Sequence, residues 1–529
     1  MTTINTDVSA FEAWLEKNGL KQEQHQKDAV AWCLEREQAE TGKGGIIADE
    51  MGLGKTIEIL GTMHCNPQGS TLIVVPYSLL EQWTQIIAKL CGRPPHVFHG
   101  SQRDCVNADH LLGYPIVLTT YGLLTVVETR NPLRRVRWSR IVYDEAHHLR
   151  NKHAYVYLHA LYNMRADITW LMTGTPIQNS TSDVYSLLSL IGIRNELQTD
   201  LSDLIKKYML RRTKAMVGIT LPACHESVIE VAWTSAAEQK MAEDIHSHLS
   251  FSNIALQDHA RKAPLRNSTW DDGSMKRALV LLGLARKICV LPALLAPKLP
   301  NVLVDGEVLP PSAKQLQAAA GVPYASKLNA VVGEVVKRQD NGRPKLIFCY
   351  FHREIDELTR LLTDAGLYVK KFDGRTPKNE RKLLLKVPCE VLIGQIDATN
   401  EGLNLQAYKE VYIVTPHWNP AVEDQAVARC HRIGQTEEVE VFRFVMTGFA
   451  GYEALKTAPK AITLDERARE VQDMKRKIVE RILTPAPDQD KAHAQTKAQA
   501  KEAQAQAKAQ EAPAPAIATK RKIKFVFSE

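Results

Sequence analysis

Long apolar runs are missing from this 529-residue chain. The best stretch, Ala278–Ala285, falls far short of the ~18 residues a membrane helix needs, so no membrane role is expected. The opening, MTTINTDVSAFEAW, has neither the basic start nor the apolar centre of a secretion signal. No two of the nine cysteines, scattered from Cys33 to Cys430, form a CxxC pair. That excludes a disulfide scaffold, argues against zinc, and reads as reduced, largely buried thiols. Charge of one sign is also scarce. The 67 Lys+Arg against 60 Asp+Glu leave +7. Eight basic and five acidic residues from Pro485 onward supply +3 of it. Binding to an acidic partner would therefore rest on local stripes such as Arg134-Arg135-Val136-Arg137 and Lys206-Lys207, which are solvated faces on the bland reading.

What is present is ordinary globular material, 44% hydrophobic and 24% charged. It is enough for three or four units at ~150 residues each. Short β-branched runs such as Gly45–Ala48, Thr71–Val75, Ile116–Thr119, Arg140–Tyr143 and Thr169–Met172 alternate with helical patterns. Runs apolar on both faces and separated by helices predict a buried parallel sheet. The same grammar returns at Lys345–Cys349, Glu390–Ile393 and Glu410–Val414, after a Leu/Ala/Lys/Glu-rich middle with helical spacing. The expected fold is α/β, with two parallel-sheet lobes, a helical insertion between them and a disordered C-terminal tail. The expected boundaries are 1–232 for the first lobe, 233–322 for the insertion, 323–460 for the second lobe, 461–484 for a brace helix and 485–529 for the tail. The tail is Ala/Gln/Lys low complexity that cannot bury a core.

Three strings carry chemistry. Ile46–Thr56 runs from a buried strand through a glycine turn into Lys55-Thr56 at a helix start. Backbone N–H groups converging at a helix N-terminus hold phosphates; Gly52 and Gly54 clear the approach, Lys55 adds a charge and Thr56 can ligate Mg²⁺. Asp49 stands where the generic pattern has its first glycine, so the bare pattern fails by one residue. Ile141–His147 delivers Asp144 and Glu145 at a strand's C-terminal end, where α/β folds bind ligands. Asp144 suits Mg²⁺ and Glu145 suits the attacking water. Alone, such a pair reads as a solvated turn. Adjacent His147 and His148 diverge and have no suitably spaced partner, which argues against a metal. Gln425–Gln435 sets Arg429 and Arg432 on one helical face, either as surface ion pairs or as guanidiniums that stabilise spreading phosphate charge.

In that order, DEMGLGKT (49–56), DEAHHLRN (144–151), LMTGTPIQN (171–179) and WNPAVEDQAVARCHRIGQ (418–435) resemble the motifs of Snf-type superfamily-two DNA translocase ATPases. VVPYSLLEQW, TTYG, FDGRT, GLNLQA and LRRTK are lesser matches, and the similarity runs from about residue 20 to 445. The resemblance implies an ATPase with two RecA-like lobes, whose catalytic groups are Lys55, Asp144, Glu145, Arg429 and Arg432. It implies ATP contacts from Gln26, Asp49, Gly52, Gly54, Lys55, Thr56 and Gln425, with Mg²⁺ held by Thr56 and Asp144. Thr173, Gly174 and Thr175 would couple hydrolysis to lobe movement, and Gly402 and Asn404 would touch nucleic acid. The implied activity is ATP-driven translocation on double-stranded DNA with little sequence preference. A strand-separating DNA or RNA helicase, or the motor subunit of a restriction, defence or recombination complex, is the alternative. The tail is offered as a surface for a protein partner. No histone-reading, zinc or nuclease module accompanies the motor, so the expectation is a minimal bacterial or phage member, cytoplasmic, and nuclear if the source is eukaryotic. Two departures stand out: Ala398–Glu401 replaces the paired glycines usual before GLNL, and His417 stands where an acidic residue usually precedes WNP.

Overall fold

β-Branched, doubly apolar runs can satisfy their backbone only in the interior of a sheet, and they do so twice. In a computed structural model the described residues are 8–100, 103, 106–126, 131–178, 180–194, 200–247, 249, 272–295, 303–304, 307–308, 325–377, 380–381, 383–384, 387–399, 404–449 and 462–483. The chain divides into two units, Met1–Val479 and Glu480–Glu529, and both sheets belong to the first. The tail 485–529 lies outside the described residues, as does Gly402.

The first sheet comprises β1 (Gly44–Ile47), β2 (Thr71–Val75), β3 (His96–Val97), β4 (Ile116–Thr120), β5 (Arg137–Tyr143), β6 (Arg165–Met172) and β7 (Met209–Leu210). Its order is β3-β4-β2-β5-β6-β1-β7, parallel throughout. This order sets the C-terminal ends of β5, β6 and β1 side by side on one edge. Helices α1 (Ser9–Lys17), α2 (Gln24–Gln38), α3 (Lys55–Cys65) and α4 (Leu80–Cys91) pack on it, and Phe11, Trp14, Ile59, Trp83 and Ile87 share a core with Ile47, Ile73 and Trp170.

The second sheet comprises β8 (Cys224–Val231), β11 (Lys345–Cys349), β12 (Val369–Phe372), β13 (Val391–Gln395), β14 (Glu410–Ile413) and β15 (Val439–Met446), in the order β12-β13-β11-β14-β15-β8. It too is parallel. A two-stranded antiparallel hairpin, β9 (Leu303–Val304) with β10 (Glu307–Val308), lies between β8 and β11 in the chain. One boundary is corrected. β8 falls inside the expected first lobe, 1–232, yet it pairs along its whole length with β15 and is the edge of the second sheet. Its sequence, CHESVIEV, is mostly polar, as an edge strand tolerates, and Val231 enters the second core.

The described parts of the insertion are helical at Ala236–His246 and Asp272–Val290. Leu281, Leu284 and Ile288 bury against Val231, Leu328, Ile347 and Phe444, so these parts extend the second lobe's core. The helix Leu464–Leu483 occupies the expected brace segment. Its start is fastened by a buried Lys327–Asp465 pair and by the Leu464 N–H donating to His246 Nε2 at 3.0 Å.

Beneath the first sheet lies a buried polar knot. Glu37, near the end of α2, accepts two bonds from Arg140 of β5 (2.7 and 2.6 Å), one from Trp170 Nε1 of β6 (2.8 Å) and one from Asn66 Nδ2 just after α3 (2.7 Å). Arg140 is 1% exposed and Glu37 3%. The knot ties α2, β5 and β6 to the end of α3, the helix that starts at Lys55.

Candidate active site

β1 ends at Ile47 and the chain turns through Asp49–Gly54 before α3 starts at Lys55. Gly52 and Gly54 have φ of 94° and 99°, the left-handed region that a side chain rarely adopts. A Cβ on Gly54 would also stand 2.1 Å from Gln26 Nε2. Gln26 donates to Leu53 O at 3.1 Å, holding its amide against the loop. Lys55 Nζ donates to Asp49 O at 2.7 Å. Burial lowers its pKa, opposed chiefly by the charges of Glu145 and Asp49.

One strand over, β6 delivers Thr173, whose N–H donates to Ile47 O at 3.0 Å. Gly174 lies against the phosphate loop, and a Cβ there would meet Met51 Cγ at 2.9 Å. Next, β5 delivers Asp144 and Glu145. Asp144 Oδ2 accepts from Trp83 Nε1 at 2.8 Å, and its carbonyl accepts from the Tyr121 hydroxyl at 2.6 Å. Glu145 is the only non-glycine residue with positive φ (49°) among the described residues. Such a backbone costs on the order of 1–3 kcal/mol and persists only where the surroundings impose it. Burial, with the adjacent Glu145 charge, pushes the Asp144 carboxyl up to about 7. Burial acts on Glu145 in the same direction, but His147, Lys55 and Arg429 outweigh it and hold it at about 2. Glu145 Oε2 lies 3.2 Å from His147 Nδ1. A buried carboxylate pair of which only one member ionises readily is a fitting receptor for a divalent cation, which would ionise the other. The residues present therefore fit Mg²⁺ at Asp144, with the Thr56 hydroxyl at the start of α3.

The second lobe meets this edge. The helix Pro420–Val427 starts at Asn419, whose Nδ2 donates to Gln178 Oε1 at 2.7 Å, and Gln425 Nε2 approaches Thr175 Oγ1 at 3.5 Å. Gln425 therefore faces the Thr173–Thr175 segment. Beyond that helix, Arg429 is close enough for its charge to act on Glu145. Arg432 is half-buried, its pKa lowered by desolvation, and no carboxylate pairs with it among the described residues. Ile433 lines a cleft with Glu23, His25, Gln26 and Leu53 of the first lobe. Asn404 is exposed, its Oδ1 accepting from Gln406 N at 3.3 Å. At the His417 departure, the His417 N–H donates to Glu423 Oε1 at 2.6 Å, so an acid from the following helix supports the loop.

Sequence reasoning passed over four groups here: Trp83 and Tyr121, which fasten Asp144, and Gln178 and Asn419, which join the lobes. All four sit inside the motif strings, but nothing in local spacing tells which partner each one has. Asp49 has its carboxylate turned to Arg212, so its contribution to the loop's open side is its carbonyl.

Two domain families match the chain, an SNF2-related domain over residues 25–198 and a helicase conserved C-terminal domain over residues 326–434. A protein named ATP-dependent DNA helicase DDM1 from Arabidopsis thaliana is 27% identical over 88% of this chain and 65% of its own length. Human chromodomain-helicase-DNA-binding protein 6 is 27% identical over 87% of this chain and 18% of its own length. The chain thus spans less than two thirds of either relative. A solved structure titled Sulfolobus solfataricus SWI2/SNF2 ATPase core in complex with dsDNA aligns over 88% of this chain and 93% of that one, at 22% identity and a TM-score of 0.36. The two matched domains fall in order on the two sheets, and with them the chain belongs to the SNF2-related family of helicase-like proteins.

Proposed function

We propose that the chain hydrolyses ATP in the cleft between its lobes and uses the cycle to translocate on double-stranded DNA without separating the strands. The observation that carries this reading is that Glu145 lies within electrostatic reach of both Lys55, from its own lobe, and Arg429, from the other. In this reading the loop N–H groups and Lys55 bind the phosphates of ATP, and the cleft beside Gln26 and Ile433 receives the base. Thr56 and Asp144 hold Mg²⁺, whose bound charge offsets that of the phosphates. Glu145 orients the attacking water and accepts its proton as charge develops in the transition state. Arg429 and Arg432 stabilise the charge spreading over the equatorial oxygens, so hydrolysis requires the lobes to be closed. Thr173–Thr175, bonded to β1 on one side and to Gln425 on the other, convey that closure. The relatives' printed names refer to DNA, and DNA as the track is carried over from them.

Translocation without unwinding has a direct readout. The full chain with ATP is expected to displace the third strand from a triplex on a duplex track and to leave a forked duplex intact. Efficient fork unwinding would make it a strand-separating helicase instead.

A further inference from the structure

Of everything outside the motifs already used, the densest cluster of bonds onto the phosphate loop comes from the connector that leaves the first sheet after β7. Arg212 donates its backbone N–H to Asp49 Oδ1 at 2.8 Å and its Nε to Asp49 Oδ2 at 3.0 Å, and its Nη2 bonds the same carboxylate. Nη2 also reaches Glu58 Oε1 of α3 at 2.9 Å, and Nη1 bonds the carbonyl of His25 in α2. The Arg212 carbonyl accepts from Glu50 N at 2.9 Å. Lys214 closes on Glu50 from both ends, its N–H to Oε2 at 2.8 Å and its Nζ to Oε1 at 2.5 Å. Arg211 bonds the carbonyls of Ala48 and Gly174, at 2.6 and 3.2 Å. Asp49 is fully buried.

These bonds explain the residue that breaks the generic phosphate-loop pattern. A buried carboxylate is costly unless paired. Asp49 is tolerated in place of glycine because a guanidinium fork from more than 160 residues away meets it. The shape of the Asp49–Gly54 loop is thereby held by a segment distant in sequence, and a loop held in its binding geometry binds more tightly than one that must be ordered. The same segment runs on to Cys224, where β8 begins as the edge of the second sheet.

We propose that Arg212, supported by Arg211 and Lys214, is a positioning residue for nucleotide binding: the inter-lobe connector clasps Asp49 and Glu50 and so holds the phosphate loop open for ATP. The proposal rests on the reading of Gly52–Thr56 as a nucleotide site. Lysine in place of Arg212 would keep the charge but lose the fork.

The test is equilibrium titration of the full chain with a fluorescent N-methylanthraniloyl ATP and Mg²⁺, which yields both Kd and the number of sites per chain. Arg212→Ala and Asp49→Asn are each expected to raise Kd about tenfold with the number of sites unchanged, and Arg212→Lys to fall between them and the parent. The double variant Asp49→Asn/Arg212→Ala is expected to be no weaker than Arg212→Ala alone, because the guanidinium that Asp49 meets is already gone. A purely structural staple would instead lower the number of sites or the Tm and leave Kd where it was. If Arg212→Ala does not fold, Arg212→Lys and Asp49→Asn carry the comparison. Lys55→Ala separates the two levels of the argument. If Lys55→Ala loses binding while the Arg212 and Asp49 variants stay within about twofold of the parent, the clasp is overturned and the nucleotide site stands. If Lys55→Ala binds like the parent, the nucleotide reading falls and the clasp with it.

Discussion

Glu145→Gln is expected to lower ATP turnover by roughly 10³-fold, the usual worth of a positioned general base. The amide keeps the size and the left-handed backbone of the site but cannot accept a proton. It also removes the negative charge that faces His147, Lys55 and Arg429. Affinity for ATP should therefore hold or tighten, since Lys55 and Arg429 lose a competing carboxylate. Turnover measured beside nucleotide affinity separates this from a general loss of structure. Glu145→Gln with near-parental turnover would remove Glu145 from the chemistry and leave its strained backbone unexplained.

The largest effect on stability is expected at the knot below the first sheet. Glu37→Ala would leave the Arg140 guanidinium, 1% exposed, facing no carboxylate, and would strip the Trp170 indole of its acceptor. Breaking a buried pair from one side costs ~3–5 kcal/mol, against ~1 kcal/mol for an exposed one. The exposed Arg137–Asp167 pair, at 2.6 Å, is the natural control, because its closest approach is equally short and it lies on the surface with no further partner like Trp170 among the described residues. Urea unfolding should show a large drop in midpoint for Glu37→Ala and a marginal one for Asp167→Ala. Equal shifts would mean that the knot contributes no more than a surface pair.

Much of this was legible in the residues themselves. Runs apolar on both faces, such as Thr71–Val75 and Lys345–Cys349, can hardly be anything but interior parallel strands, and they are β2 and β11. The glycine turn with Lys55-Thr56 and the Asp144-Glu145 pair are local patterns whose chemistry follows from spacing. What escaped was set by distant partners. The polar β8 reads as belonging to the lobe that precedes it, and only its partner β15 reveals the sheet it joins. Trp83 looks like a core aromatic until its indole is found on Asp144, and Arg212 like one more charge in a basic stretch until its fork is found on Asp49. Spacing along the chain predicts what a segment can do; it does not predict which residue 60 or 160 positions away completes it.

The central claim is a composite ATP site whose closure is coupled to a duplex track. The measurement that tests it most directly is steady-state ATP turnover by the full chain with no nucleic acid, with single-stranded DNA, with duplex DNA and with RNA. Turnover should rise steeply with duplex DNA, and much less with the others. Turnover indifferent to duplex DNA, or raised only by RNA or a single strand, would contradict it.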